Sequence, residues 1–393
     1  MNPEIVSRRS AFQRIGAAGA AALLGAEPPL AAQGKGSDDY PPEAAGYLKR
    51  LYAQSKQRFA FRPDYPGGFQ GWRRQASAEL RLRLGLDRIA ESAGSHRPAV
   101  EIGKPADMGD YTREAGVIET EPGVRIPFWL LKPKGKGPWP LGIFPHGHSK
   151  VGHNTTAGVF ADEAAKKRAL AEDRDVAVQA AKLGILAIAP AVRGLSWVVP
   201  DLHERVGTDC RSHAMQCLLA GRTAIGERVW DMGRILDWAG TLPGISARRI
   251  LSMGNSGGGM VTMFLAACDQ RINVAVPSCS FAPSVSRTGY VLHCPCNTVP
   301  GVMELGGLAN AAGLVAPRYL LAVNGRKDGL FPVEEVESAA AAVRAIYLAA
   351  ACPQRFEHRW GAAGHRFYKE LMWPFVMAAF SNPDVPEDPV RNG

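Results

Sequence analysis

The chain has 393 residues, of which 46% are hydrophobic and 21% charged, and its formal net charge is +9. That balance is that of a globular protein of one large or two small domains with a sizeable core. The positive charge has no long basic run behind it: Lys166-Lys167-Arg168 reads as a solvated helix face, and no stripe of aromatic and basic residues argues for nucleic acid.

Ser7-Arg8-Arg9-Ser10-Ala11-Phe12 precedes an apolar Ala/Gly-rich run over 15–24, and small residues follow at Ala31-Ala32. A charged start, a short apolar run and a small-residue stretch predict an export signal over 1–32. The adjacent arginines are of the twin-arginine type, with Phe12 one position later than the usual pattern. The apolar run is too short to span a bilayer, and no second stretch is long enough. The expected location is therefore periplasmic or secreted. Oxidising conditions make disulfides an expectation, Cys210 with Cys217, or Cys279 with Cys294 or Cys296. Seven cysteines leave at least one thiol free. His293-Cys294-Pro295-Cys296 looks like half a metal site, but no second half stands at zinc spacing, and neither metal nor cofactor is expected.

Residues 33–42 read as a polar linker. Helical spacing follows over 43–61, with Tyr47, Leu48, Leu51 and Tyr52 on one face, and over 69–86, with Trp72, Leu80, Leu82 and Leu84. The stretch 33–110 is thus a linker and helical N-terminal extension. Strand-like runs at 116–119 and 126–132 flank Glu121-Pro122-Gly123 and predict a hairpin. A buried strand over 141–145 ends in His146-Gly147-His148. Helices over 161–183, 222–239, 260–268, 333–350 and 367–380 then alternate with apolar strands over 185–189, 250–253, 272–277, 319–323 and 356–360. This alternation predicts an α/β domain over 111–393, with a mainly parallel central sheet and helices on both faces. Insertions near 149–160 and 281–316 break the pattern. Both fall at the C-terminal edge of the sheet, where open α/β folds bind ligands.

The chemistry centres on Gly254-Asn255-Ser256-Gly257-Gly258, between the strand 250–253 and the helix 260–268. It reads as a nucleophile elbow: Ser256 sits on a tight turn whose glycines let strand and helix pass closely. A serine nucleophile needs a base, a group that orients the base, and donors for an oxyanion. Asp328 follows the strand 319–323, and His365 follows the strand 356–360, in the order that completes a triad. Asp269 and Glu304 are poorer acids, and His358, within a strand, reads as structural. Gly257 and His148, with Gly147 as second choice to His148, are the expected oxyanion-hole donors.

Together these motifs resemble the α/β-hydrolase superfamily over roughly 111–380, and within it the dienelactone-hydrolase-like and acetylxylan-esterase-like members. Arg193-Gly194 resembles the Arg-Gly-Gln motif of bacterial acetylxylan esterases, with Leu195 in place of the Gln. Gly257 stands where those enzymes have Gln, and Arg366 where they have Glu. Arg193 and His146 are candidate substrate-binding residues, although Arg193 reads equally as a salt-bridged structural residue. The resemblance implies a cofactor-free exported serine carboxylesterase that removes acetyl-like groups from carbohydrate esters. Rival readings are a prolyl-oligopeptidase-like peptidase, an inactive binding protein of the same fold, and a metal-dependent hydrolase using His146, His148 and His153. The first hundred residues cannot form the propeller that the peptidase reading needs.

Overall fold

The computed structural model describes residues 42–196, 210–287 and 289–382. The expected signal at 1–32 lies outside the described residues. No described helix is long and apolar enough to cross a membrane.

Three helices, α1 (Pro42–Ala53), α2 (Gly68–Leu84) and α3 (Leu86–Ala93), precede the short strands β1 (Ala99–Ile102) and β2 (Ala106–Asp107). The hairpin β3 (Tyr111–Glu121) and β4 (Val124–Pro133) follows, turning at Gly123. Then come β5 (Trp139–Ile143), α4 (Gly152–Thr156), α5 (Glu163–Ala171), α6 (Val176–Lys182), β6 (Leu186–Pro190), α7 (Cys210–Leu219) and α8 (Ala224–Ala239). The second half holds β7 (Ile245–Asn255), α9 (Gly257–Cys268), β8 (Val274–Ser278), α10 (Gly307–Gly313), β9 (Tyr319–Gly325), α11 (Val333–Ala349), β10 (Phe356–Gly361) and α12 (Lys369–Ser381).

The ten strands among the described residues form one sheet in the order β1-β3-β4-β6-β5-β7-β8-β9-β10, with β2 on β3. Pairings up to β4–β6 are antiparallel, and those from β6–β5 to β9–β10 are parallel. The parallel half is buried on both faces, as its wholly apolar strands require: β6, β8 and β9 are buried at every position. Period-two alternation divides the core. Leu320 and Ala322 join Trp72, Met260, Phe264 and Val343 in one layer, and Leu321 and Val323 join Val176, Met372 and Val376 in the other.

Some local features differ from expectation. The helix predicted over 161–183 is two helices, broken at Asp173, which takes φ 55 and points its carboxylate at Arg366 and Lys369. Helices α3 and α7 and strand β1 were not foreseen. Strand β1 pairs with β3 over four residues, so the segment before residue 111 contributes to the main sheet. The 149–160 insertion carries α4, and 281–316 carries α10, whose Leu308, Ala311 and Ala312 are buried in the core.

Candidate active site

Ser256 lies between the last residue of β7 and the first of α9, at φ 57 and ψ −124. A non-glycine residue there is strained, at a cost of about 1–3 kcal/mol, and the surroundings hold it. They do so by close approach. A Cβ on Gly254 lies 2.4 Å from the Gly258 carbonyl, one on Gly258 lies 2.0 Å from Pro145 O, and one on Gly259 lies 2.2 Å from Ser280 Oγ. Only glycine fits at these positions. The Ser256 N–H donates to Ser278 O at 2.8 Å, tying the elbow to β8.

The loops after β9 and β10 are zipped together: Arg326 N–H donates to Gly361 O at 2.9 Å and Lys327 N–H to Ala363 O at 3.0 Å. Gly325 permits this, since a Cβ there is 2.2 Å from Gly364 O. The result sets His365 Nδ1 2.7 Å from Asp328 Oδ2, while Asp328 Oδ1 accepts from Leu330 N–H at 3.1 Å. The Asp328 carboxylate is 1% exposed and the His365 ring 26%. A buried carboxylate beside Nδ1 keeps the proton there and leaves Nε2 as the basic nitrogen. Ser278 Oγ links this pair to the elbow, accepting from Asn255 Nδ2 at 3.3 Å and donating to Arg366 O at 3.3 Å. Cys279 lies against Asp328 and His365. Burial, together with the Asp328 charge, pushes its thiol up to about 11, so it is no rival nucleophile. Phe331 stacks near His365 at 6.4 Å and near His293 at 5.4 Å, so the 281–316 segment reaches this side of the site.

The loop after β5 faces the elbow. A Cβ on Gly147 lies 2.9 Å from Asn255 O and 3.1 Å from Ser256 Cβ. A Cβ on Gly257 lies 3.2 Å from His148 Nδ1, so the His148 ring edge borders the start of α9. The N–H groups of Gly257 and His148 donate to no described residue.

Two candidate substrate residues turn out to be committed within the fold. His146 is buried; its Nδ1–H donates to Gly147 O at 2.6 Å and its Nε2 accepts from Val192 N–H at 3.1 Å. Burial drives its pKa down to about 3, and neither nitrogen is left for a substrate. Arg193 is buried among Asp231 (Nε to Oδ2 2.9 Å), Glu121 (2.9 Å) and Glu227 (3.1 Å), with Arg222 completing the network. All three carboxylates hold it within the fold. His146, His148 and His153 do not form a ligand set: His148 Nε2 instead faces Cys296 Sγ at 3.4 Å. All seven cysteines are free, and none of the expected pairs is close. Cys217 groups with His213 and Glu227, Cys279 with Asp328, and Cys210 with Cys294 and Cys296. Asp269 and Glu304 are taken by Arg271 and Arg58.

No protein-family model matches the chain. It is similar to "Putative hydrolase YtaP" of Bacillus subtilis (strain 168), with 24% identity over 268 residues, 64% of this chain and 84% of the relative. Among solved structures, it resembles Methylesterase BT1017, with TM-score 0.62 and 22% identity, covering 84% of this chain and 68% of the other. A glucuronoyl esterase from Solibacter usitatus matches with TM-score 0.58 and 15% identity over 82% and 96% of the two chains. Acetyl xylan esterase 1 from Thermoanaerobacterium sp. JW/SL YS485 matches with TM-score 0.54 and 17% identity over 87% and 100%. With its sheet order and elbow, the chain has the α/β-hydrolase fold.

Proposed function

We propose that the protein is an exported serine carboxylesterase that removes acyl groups from carbohydrate esters. The observation that carries this reading is the Asp328–His365 hydrogen bond at 2.7 Å, on loops tied to a strained Ser256. His365 Nε2 takes the Ser256 hydroxyl proton as Oγ attacks the ester carbonyl, then returns it to the leaving alcohol. Asp328 holds the ring in the required tautomer and stabilises the imidazolium. The N–H groups of Gly257 and His148, at the helix start and the opposing loop, take the oxyanion. Water then hydrolyses the acyl-enzyme by the same route. This reading requires the Ser256 hydroxyl to meet His365 Nε2 when the ester is bound. Fold neighbours that are a glucuronoyl esterase and an acetyl xylan esterase support the carbohydrate substrate class.

Fluorophosphonate labelling tests the reading. The probe is expected to modify Ser256, and His365→Ala to abolish labelling, after which acetylated sugars, uronate esters and peptides are compared as substrates. An unlabelled but folded wild-type chain sinks the mechanism. Cleavage of peptides in preference to every ester sinks the substrate class.

A further inference from the structure

Four ligating side chains from three distant parts of the chain converge beside the loop after β5. His148 lies on that loop, Cys210 opens α7, and Cys294 and Cys296 flank Pro295 in the 281–316 segment. His148 Nε2 and the three Sγ atoms all lie within 4.8 Å of one another. Cys210 Sγ is 3.5 Å from Cys294 Sγ, and Cys296 Sγ is 3.4 Å from His148 Nε2. A tetrahedral zinc with Zn–S of about 2.3 Å and Zn–N of about 2.0–2.1 Å has S···S edges of about 3.8 Å and S···N edges of about 3.6 Å. The Cys210–Cys294 and Cys296–His148 edges lie within a few tenths of an ångström of those values, and every other edge is 4.8 Å or less. A simple disulfide would require neither the third sulfur nor an imidazole nitrogen aimed at it.

Arg228 supplies an independent observation. Its side chain, on α8, is fully buried. Nε donates to Arg193 O at 2.9 Å; Nη1 donates to Cys296 O at 3.3 Å, to Asn297 Oδ1 at 3.3 Å and to Cys296 Sγ at 3.4 Å; Nη2 has no partner. It forms no ion pair with a carboxylate among the described residues. A buried cation needs a counter-charge. Three thiolates around one divalent ion carry a net charge of −1, and the sulfur nearest Arg228 is one of the three. N–H donation to a ligating sulfur is also what an outer shell supplies.

We propose that His148, Cys210, Cys294 and Cys296 bind one zinc ion. Three thiolates and one imidazole are the soft, tetrahedral donor set that suits zinc. Four protein ligands leave no open position, so the ion is structural. It clamps α7 and the 281–316 segment onto the loop that carries the His148 N–H. Coordination through Nε2 also keeps the His148 proton on Nδ1, at the ring edge that borders Gly257. The site stands on its own, whether or not Ser256 is a nucleophile.

Elemental mass spectrometry on the full chain, purified without chelator from zinc-supplemented culture, tests the site. About one zinc per chain is expected to survive gel filtration. Cobalt supplied in its place is expected to show thiolate-to-cobalt charge transfer and the intense d–d bands of a tetrahedral ion. Cys294→Ser and Cys296→Ser are expected to lower metal content by about tenfold or more, while Cys268→Ser and Cys352→Ser, outside the cluster, retain it. If the cluster variants fail to fold, the wild type decides. Chelation is expected to release zinc, expose three further thiols to Ellman's reagent and lower Tm, the three being Cys210, Cys294 and Cys296. A folded wild-type chain without zinc from such a culture overturns the proposal. So does a peptide map that joins Cys210 to Cys294 as a disulfide.

Discussion

His365 Nδ1 stands 2.7 Å from a carboxylate, that of Asp328, that is 1% exposed. The strand ends that carry the pair are neighbours in the sheet, and their loops share two backbone hydrogen bonds, so the pairing does not depend on side-chain chance.

The first prediction tests that pairing. Asp328→Asn keeps the shape but makes the side-chain amide a donor toward Nδ1, which favours the wrong tautomer. We expect kcat for ester hydrolysis to fall by roughly 10³–10⁴-fold with KM little changed. A loss under tenfold in a folded variant would mean that Asp328 does not orient the base.

The elbow glycines make a contrasting pair of predictions with a glycine elsewhere. Gly258→Ala places a methyl 2.0 Å from Pro145 O, a backbone atom held in the sheet connection. The elbow must then shift, and we expect a loss of stability of about 3 kcal/mol or more together with lost activity. Gly233→Ala, inside α8, meets nothing within 4 Å, and there we expect about 0.5–1 kcal/mol of added stability. Urea unfolding of the two variants checks both signs.

The placement of Ser256, Asp328 and His365 was legible in the sequence because each sits in a short motif directly after an apolar strand, and parallel sheets gather such ends along one edge. Chain order then did the work of geometry. The sequence left Arg193 open between a salt bridge and the substrate, since its partners at Glu121, Glu227 and Asp231 belong to a distant hairpin and another helix. The cysteine and histidine cluster was half visible: Cys294 and Cys296 stand two residues apart, but His148 lies 148 residues before Cys296. His293, the neighbour that made the motif look like a metal half-site, is turned away, with Nε2 hydrogen-bonded to Pro283 O. Strand β1 escaped notice because its four residues are mostly exposed and carry no alternation to read.

Arg193→Met separates the structural from the substrate-binding reading. It leaves Glu121, Glu227 and Asp231 around a neutral side chain, with Arg222 still beside Glu121 and Glu227 and His213 Nε2 3.0 Å from Glu227. Removing one partner of a buried ion network costs about 3–5 kcal/mol. We expect that loss in urea unfolding, with KM in the surviving folded fraction unchanged. A raised KM at unaltered stability would return Arg193 to the substrate.

Part of the pH dependence of stability should trace to His358. Its ring stacks against Phe281 and Trp360, and its Nε2–H donates to Asn324 Oδ1 at 3.2 Å. Burial drives its pKa from 6.5 down to about 4. The folded state therefore stays neutral where the unfolded chain takes up a proton. The sign follows: the contribution is fully present above pH 6.5, and is lost as pH falls from there toward 4. Between pH 7.5 and pH 5 the loss from this one ring is about 2 kcal/mol. Urea unfolding at the two pH values, in wild type and His358→Gln, isolates it. The variant is expected to be less stable at neutral pH, yet to show about 2 kcal/mol less change between the two conditions. An identical pH difference in both proteins would mean that the ring titrates as freely in the fold as it does in the unfolded chain.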